Sequence, residues 1–159
     1  MEKLREVINK IIFIIGTILL TTITLTVAWQ VVSRYVFNEP SIFTDELARF
    51  LLMWIGMLGT TYAFGTKAHL SMDYLHTLLK KETVKKIRVV LPILGIIFIG
   101  SVMVGGGTLL TLNTMQQLSP VLYIPMGYVY LILPITGVIN VLYLIGYIFD
   151  ELKKEEGEK

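Results

Sequence analysis

The side chains able to do chemistry are few and crowded into short segments. His69, Asp73 and His76 share one segment, and Arg34, Asp45, Glu46 and Arg49 share another. A histidine could act as a sensor or a haem ligand, though His69 is expected to be a satisfied interfacial side chain, and an acidic pair beside arginines could form ion pairs or receive a charged partner. The chain has no cysteine, which excludes disulfides, thiol nucleophiles and cysteine-held metals. No Ser-His-Asp order, HExxH, P-loop or DxxDG pattern occurs. Neither a catalytic set nor a cofactor or metal site is therefore expected. The Arg34, Asp45, Glu46 and Arg49 group is expected to close a turn by ion pairs, anchor two helix ends, and offer a patch to a soluble partner.

The elements that carry these residues follow from where the charges are missing. Of 159 residues, 54% are apolar and 16% charged, against roughly 25% charged in a soluble domain. Residues 11–33, 50–66 and 89–149 contain no Asp, Glu, Lys or Arg. An amphipathic helix of a soluble protein would carry charge on one face, and these runs are apolar all round. A charge at mid-bilayer costs about 2.5–3.5 kcal/mol on insertion scales, so lipid is the solvent that selects such runs. A span needs about 20 apolar residues. The first two runs make one span each, and the third is long enough for two with a turn near Asn113. The expected fold is a single all-α domain over residues 1–159. It has four transmembrane helices over about 11–36, 45–66, 89–112 and 126–149, and a polar, frayed tail over 150–159.

Details of each segment refine this. Thr17, Thr21, Thr24 and Ala28 fall at helical spacing and predict a small, weakly polar face on helix one. Pro40 stops that helix's continuation, and Thr44 is expected to cap helix two with Asp45 and Glu46 in its first turn. Gly56 with Thr60, and Gly59 with Ala63, are spaced for close helix packing. Trp29, Trp54, His69 and Asp73 are read as interfacial anchors. Between helices two and three, Leu75, Leu78 and Leu79 near Lys80, Lys81, Lys85 and Lys86 predict a short amphipathic helix in the headgroup plane. Its lysines would contact anionic phospholipid at about 1 kcal/mol each. Gly105-Gly106-Gly107 could loosen helix three, Pro134 predicts a kink in helix four, and Asn140 is expected to hydrogen-bond a neighbouring helix.

Basic residues number three in the head, two in loop one, six in loop two, none in loop three and three in the tail. The positive-inside rule then puts both termini and loop two in the cytoplasm. A net charge of +2 gives no case for nucleic acid. Without ionisable groups inside the spans, a self-contained four-helix exporter would lack its membrane carboxylate. A membrane anchor of a redox complex would lack haem histidines, since both histidines lie in loop two.

Arg34-Tyr35, an acidic pair before Ala48-Arg49, an apolar run with Gly59 and Ala63, and then His69-x-x-x-Asp73 form one pattern. It resembles the small membrane subunit of tripartite ATP-independent periplasmic (TRAP) transporters. Phe43 stands where a Trp is common in that family, and Asp45 where a Glu is common. The resemblance implies a multi-pass protein of the bacterial inner membrane. It implies as partners a large many-span subunit carrying the solute and sodium sites, and a periplasmic binding protein delivering an organic acid such as a sialic acid or a C4-dicarboxylate. The small subunit would then be a non-catalytic scaffold that helps receive the binding protein.

Overall fold

The computed structural model describes residues 2–66 and 81–157, and it is helical almost throughout. Helix α1 covers Glu2–Tyr35 and α2 covers Ile42–Gly65. Helix three is composite: α3 over Lys81–Phe98, a π-helical segment over Ile99–Gly106, and α4 over Gly107–Thr114. Helix four is α5 over Met126–Tyr130 followed by α6 over Ile132–Gly157. Four stretches are long and apolar enough to cross a membrane: Lys3–Tyr35, Ile42–Gly65, Val89–Thr114 and Met126–Glu151. The expected four-span, all-helical fold is what the described residues form.

The helices run past the charge-free stretches. α1 begins in the polar head, α3 begins at Lys81 instead of Val89, and α6 continues to Gly157 where a frayed tail was expected. Lys, Glu and Arg are good helix formers, so charge ends a membrane span without ending the helix. Helix four breaks at Leu131, three residues before Pro134. Proline has no N–H, and its ring crowds the carbonyl four residues back, which here is Tyr130. The triple glycine closes the π segment, where the turns of helix three widen.

α1 packs along α2, α2 packs along α6, and α6 packs against helix three. Ile12, Leu58 and Ile132 are buried together where α1, α2 and α6 meet, with Trp54, Met57 and Ile139 around them. Helix four is the most enclosed, with 44% of its most apolar window buried against 6% for α1. Against the π segment α6 comes close enough that a Cβ on Gly137 would lie 2.9 Å from Met103 Cβ. Gly56 and Gly59 play no such part: a Cβ there would meet nothing within 4 Å. Their side of α2 is open.

Threonine hydroxyls inside the spans are bonded back to their own helix. Thr17, Thr21, Thr22, Thr24 and Thr26 each donate to the carbonyl four residues earlier, at 2.7–2.9 Å. The buried Thr61, Thr111 and Thr136 do the same at 2.6–2.9 Å. A hydroxyl left unpaired in an apolar medium costs several kcal/mol, and this local bond removes that cost without needing another helix. The threonine face of α1 therefore presents methyl groups.

Candidate functional site

Among the described residues, polar side chains gather in two clusters, one at each end of the bundle. The loop end carries loop one (residues 36–41) and loop three (residues 115–125). The terminal end carries the start of α1, the end of α2 and the end of α6.

At the loop end, the expected four-residue patch divides. Asp45 and Arg49 form an exposed i,i+4 ion pair, and Gln30 Nε2 on α1 donates to Asp45 Oδ1 at 3.2 Å. Glu46, one residue on, is turned about 100° around α2 and is 6% exposed. Its Oε2 accepts from the backbone N–H of Val121 at 3.0 Å and of Leu122 at 2.7 Å. A carboxylate holding two amides makes charge-assisted bonds of roughly twice the neutral strength. Arg34 is exposed at the end of α1, and none of these bonds reaches it.

Loop one is closed by backbone chemistry and not by ion pairs. The buried Ser33 hydroxyl donates to the Glu39 carbonyl, and the Glu39 N–H donates to the Ser33 carbonyl at 3.2 Å. Asn38 takes the left-handed conformation the turn needs, with φ 55°. Ser41 stands at the N-cap position, and Thr44 sits inside the first turn, donating to the Ser41 carbonyl at 2.8 Å. Thr44 does not cap because the helix has already begun two residues before it.

Glu46 holds a loop that is itself cross-tied. The Ser119 N–H donates to the Ile124 carbonyl at 2.9 Å, and the Met126 N–H to the Gln117 carbonyl at 2.8 Å. The Ile124 N–H reaches Ser119 Oγ at 3.2 Å. Tyr123, at the tip, has φ 54° and is 71% exposed. A bulky residue in the left-handed region is held there by its surroundings, here by the bonds on either side. Sequence reasoning missed this loop as a structure. The available signal was the adjacency of two acids on a helix, which cannot both face one neighbour.

At the terminal end, Arg5 near the start of α1 pairs with Asp150 in α6 at 2.9 Å and donates to the Tyr143 carbonyl at 3.2 Å. The Tyr143 hydroxyl donates to Asn9 Oδ1 at 2.8 Å. Asn9 lies over Gly65, where a Cβ would fall 2.0 Å from its Oδ1. The cluster joins α1, α2 and α6.

The remaining expectations divide as follows. Trp29 is exposed near the end of α1, with its ring 6.2 Å from that of Phe37. Trp54 is at the middle of α2, half-buried, and donates from Nε1 to the Val129 carbonyl at 3.0 Å. It joins α2 to the break in helix four. Asn140 is 2% exposed, yet its Oδ1 has no hydrogen-bond partner among the described residues. Its expected bond to a neighbouring helix is therefore not formed through that oxygen. His69, Asp73, Lys80 and most of the expected interfacial helix lie outside the described residues. Lys81, Lys85 and Lys86 belong to the backbone of α3. Among the described residues no group of three His, Cys, Asp or Glu could hold a metal ion.

Four helices long and apolar enough to cross a bilayer, with polar ties gathered at their ends, define the class: an integral membrane protein. The sequence profile of the DctQ component of tripartite ATP-independent periplasmic transporters matches residues 23–154. The chain belongs to that family, whose members are transporter components and not enzymes. It is 28% identical over 153 residues to the sialic acid TRAP transporter small permease protein SiaQ of Vibrio cholerae, covering 96% of this chain and 88% of SiaQ. A Haemophilus influenzae chain assigned to the TRAP small permeases is 27% identical over 139 residues, covering 87% of this chain and 86% of that one. A 67-residue stretch, 42% of this chain, is 34% identical to part of the H. influenzae sialic acid TRAP transporter permease protein SiaT, covering 11% of SiaT. This membership displaces both the exporter and the redox-anchor alternatives.

Proposed function

We propose that this chain is the scaffold subunit of a sodium-coupled TRAP transporter importing an organic acid of the sialic acid class. It supports a large many-span subunit, which carries the solute and sodium sites, in the bacterial inner membrane. Its loop end faces the periplasm and receives the solute-binding protein, its termini face the cytoplasm, and its basic segment contacts anionic phospholipid. The observation that carries the scaffold role is the distribution of polar groups. No Asp, Glu, Lys, Arg or His occurs in residues 11–33, 50–66 or 89–149, and the threonine hydroxyls there are bonded to their own helices. Such spans supply packing surface and no coupling site. The charge bias of the loops supports the orientation. The names of the relatives support the solute class.

The test is reconstitution. The complete three-part system in liposomes should take up sialic acid on an inward sodium gradient, and omitting this chain should abolish uptake. Sodium-driven uptake by the large subunit and binding protein alone would remove the scaffold role, and uptake by this chain alone would overturn the division of labour.

A further inference from the structure

At the terminal half of the bundle, α2, helix three and α6 enclose a groove of about 520 Å³. Thr60 and Phe64 line one wall, Pro92, Gly95 and Ile99 the floor, and Leu144 the other side. The Thr60 hydroxyl is already engaged with the Gly56 carbonyl at 2.9 Å, so the surface facing the groove is almost entirely carbon. Small-ligand pockets run about 300–1,000 Å³ and orient their ligands with a few polar groups. This groove has the size and lacks the polar groups, which suits an aliphatic chain.

The floor has a direction. Ile99, Gly95 and Pro92 step along the helix by four and three residues, and continuing with steps of four, three and four reaches Arg88, Lys85 and Lys81. One stripe of helix three thus passes from groove floor to three basic positions just outside the charge-free run that starts at Val89. At 1.5 Å per residue, Ile99 to Arg88 spans about 16 Å, close to half of a hydrocarbon core of about 30 Å. A carbon-lined slot of about 12 Å along helix three, with cationic positions continuing its stripe beyond Leu91, is complementary to an amphiphile with a negative head.

We propose that this groove seats an acyl chain of one anionic phospholipid, with its phosphate at the Lys81, Lys85 and Arg88 positions. Charge decides the occupant: an apolar helix of the large subunit would bring no anion to the Lys81, Lys85 and Arg88 positions, whereas a phospholipid places its phosphate there. The inference rests on the reading of the basic segment as headgroup-facing and adds a specific seat to it.

Native mass spectrometry of the detergent-solubilised full chain tests it, with dioleoyl phosphatidylglycerol and dioleoyl phosphatidylcholine as probes. The native chain should retain one phosphatidylglycerol in strong preference to phosphatidylcholine. Lys85→Gln with Arg88→Gln should cut that preference by about fivefold per charge removed and leave phosphatidylcholine retention unchanged. Thr60→Trp and Leu94→Trp, both at exposed groove positions, should cut retention of both lipids several-fold with helicity by circular dichroism unchanged. Native preference that persists when the groove is filled would overturn the seat and leave the headgroup reading standing. Absence of any preference in the native chain would overturn both. Loss of the lipid on assembly with the large subunit, with Thr60→Trp blocking assembly, would also overturn it, because the groove would then belong to that subunit.

Discussion

The two ends of the bundle solve the same problem with opposite means. At the terminal end, side chains bind side chains and a carbonyl: Arg5 to Asp150, Arg5 to the Tyr143 carbonyl, and Tyr143 to Asn9. These bonds hold α1 and α6 at fixed spacing, with α2 drawn close where Gly65 meets Asn9. At the loop end, one side chain binds backbone: Glu46 takes the Val121 and Leu122 amides. That fixes the shape of a loop with no charge of its own. The first cluster sets how helices stand, and the second sets what one face of the protein looks like. Loss of the first should therefore loosen the bundle, and loss of the second should change a surface.

Substitutions can break this contrast, and the largest effect should come from Glu46→Ala. It strands two part-buried amides, and each buried donor left unsatisfied costs about 1–3 kcal/mol. Thermal unfolding in detergent should fall clearly, and amide exchange should rise at residues 119–125 before it rises in the helices. Uniform exchange across the chain would erase the distinction between the ends. Arg5→Ala should cost less, about 2 kcal/mol, because the Asp150 side chain is 32% exposed and partly screened by solvent. A cysteine cross-link between α1 and α6 would read the separation of those helices, which should widen in Arg5→Ala and stay put in Glu46→Ala.

Trp54→Phe removes one neutral bond to Val129 and should cost about 1 kcal/mol, sharpening the contrast because it lies between the ends. Smallest of all should be Asp45→Asn. The Asp45–Arg49 pair is exposed on both sides, and such pairs contribute about 0–1 kcal/mol, so stability should be unchanged. In the complete transporter, Arg49→Glu should nevertheless raise the concentration of binding protein needed for half-maximal uptake. Unchanged uptake in that variant would leave the Asp45–Arg49 pair without a docking role.

Much of the fold was legible because lipid imposes one rule on every residue of a span. Charge-free runs about as long as a bilayer core is thick, or longer, can be read without knowing any contact, and four spans follow. What was not legible depended on rotation about a helix axis. Nothing in the Asp45-Glu46 pair says which acid meets α1 and which meets loop three; the neighbours decide it. Trp54 looked like an interfacial residue by type, but the break at Leu131 brings the Val129 carbonyl within its reach. Pro134 announced that break, though not its position. Ser33 and Thr44 carried hydroxyls that could have capped or bridged, and only the backbone geometry selects the carbonyl each one meets.

The π segment carries one more consequence. A π helix advances by fewer degrees per residue than an α helix, so Ile99–Gly106 acts as a phase shifter between the two halves of helix three. Upstream, the stripe through Pro92 and Gly95 faces the groove; downstream, Gly107, Thr111 and Thr114 are the buried positions. Shortening the chain by any one of the three consecutive glycines would let the wide turn relax to the ordinary pitch. Either half could then keep its old orientation, but not both, and α5 and α6 would lose their seat or the groove would lose its floor.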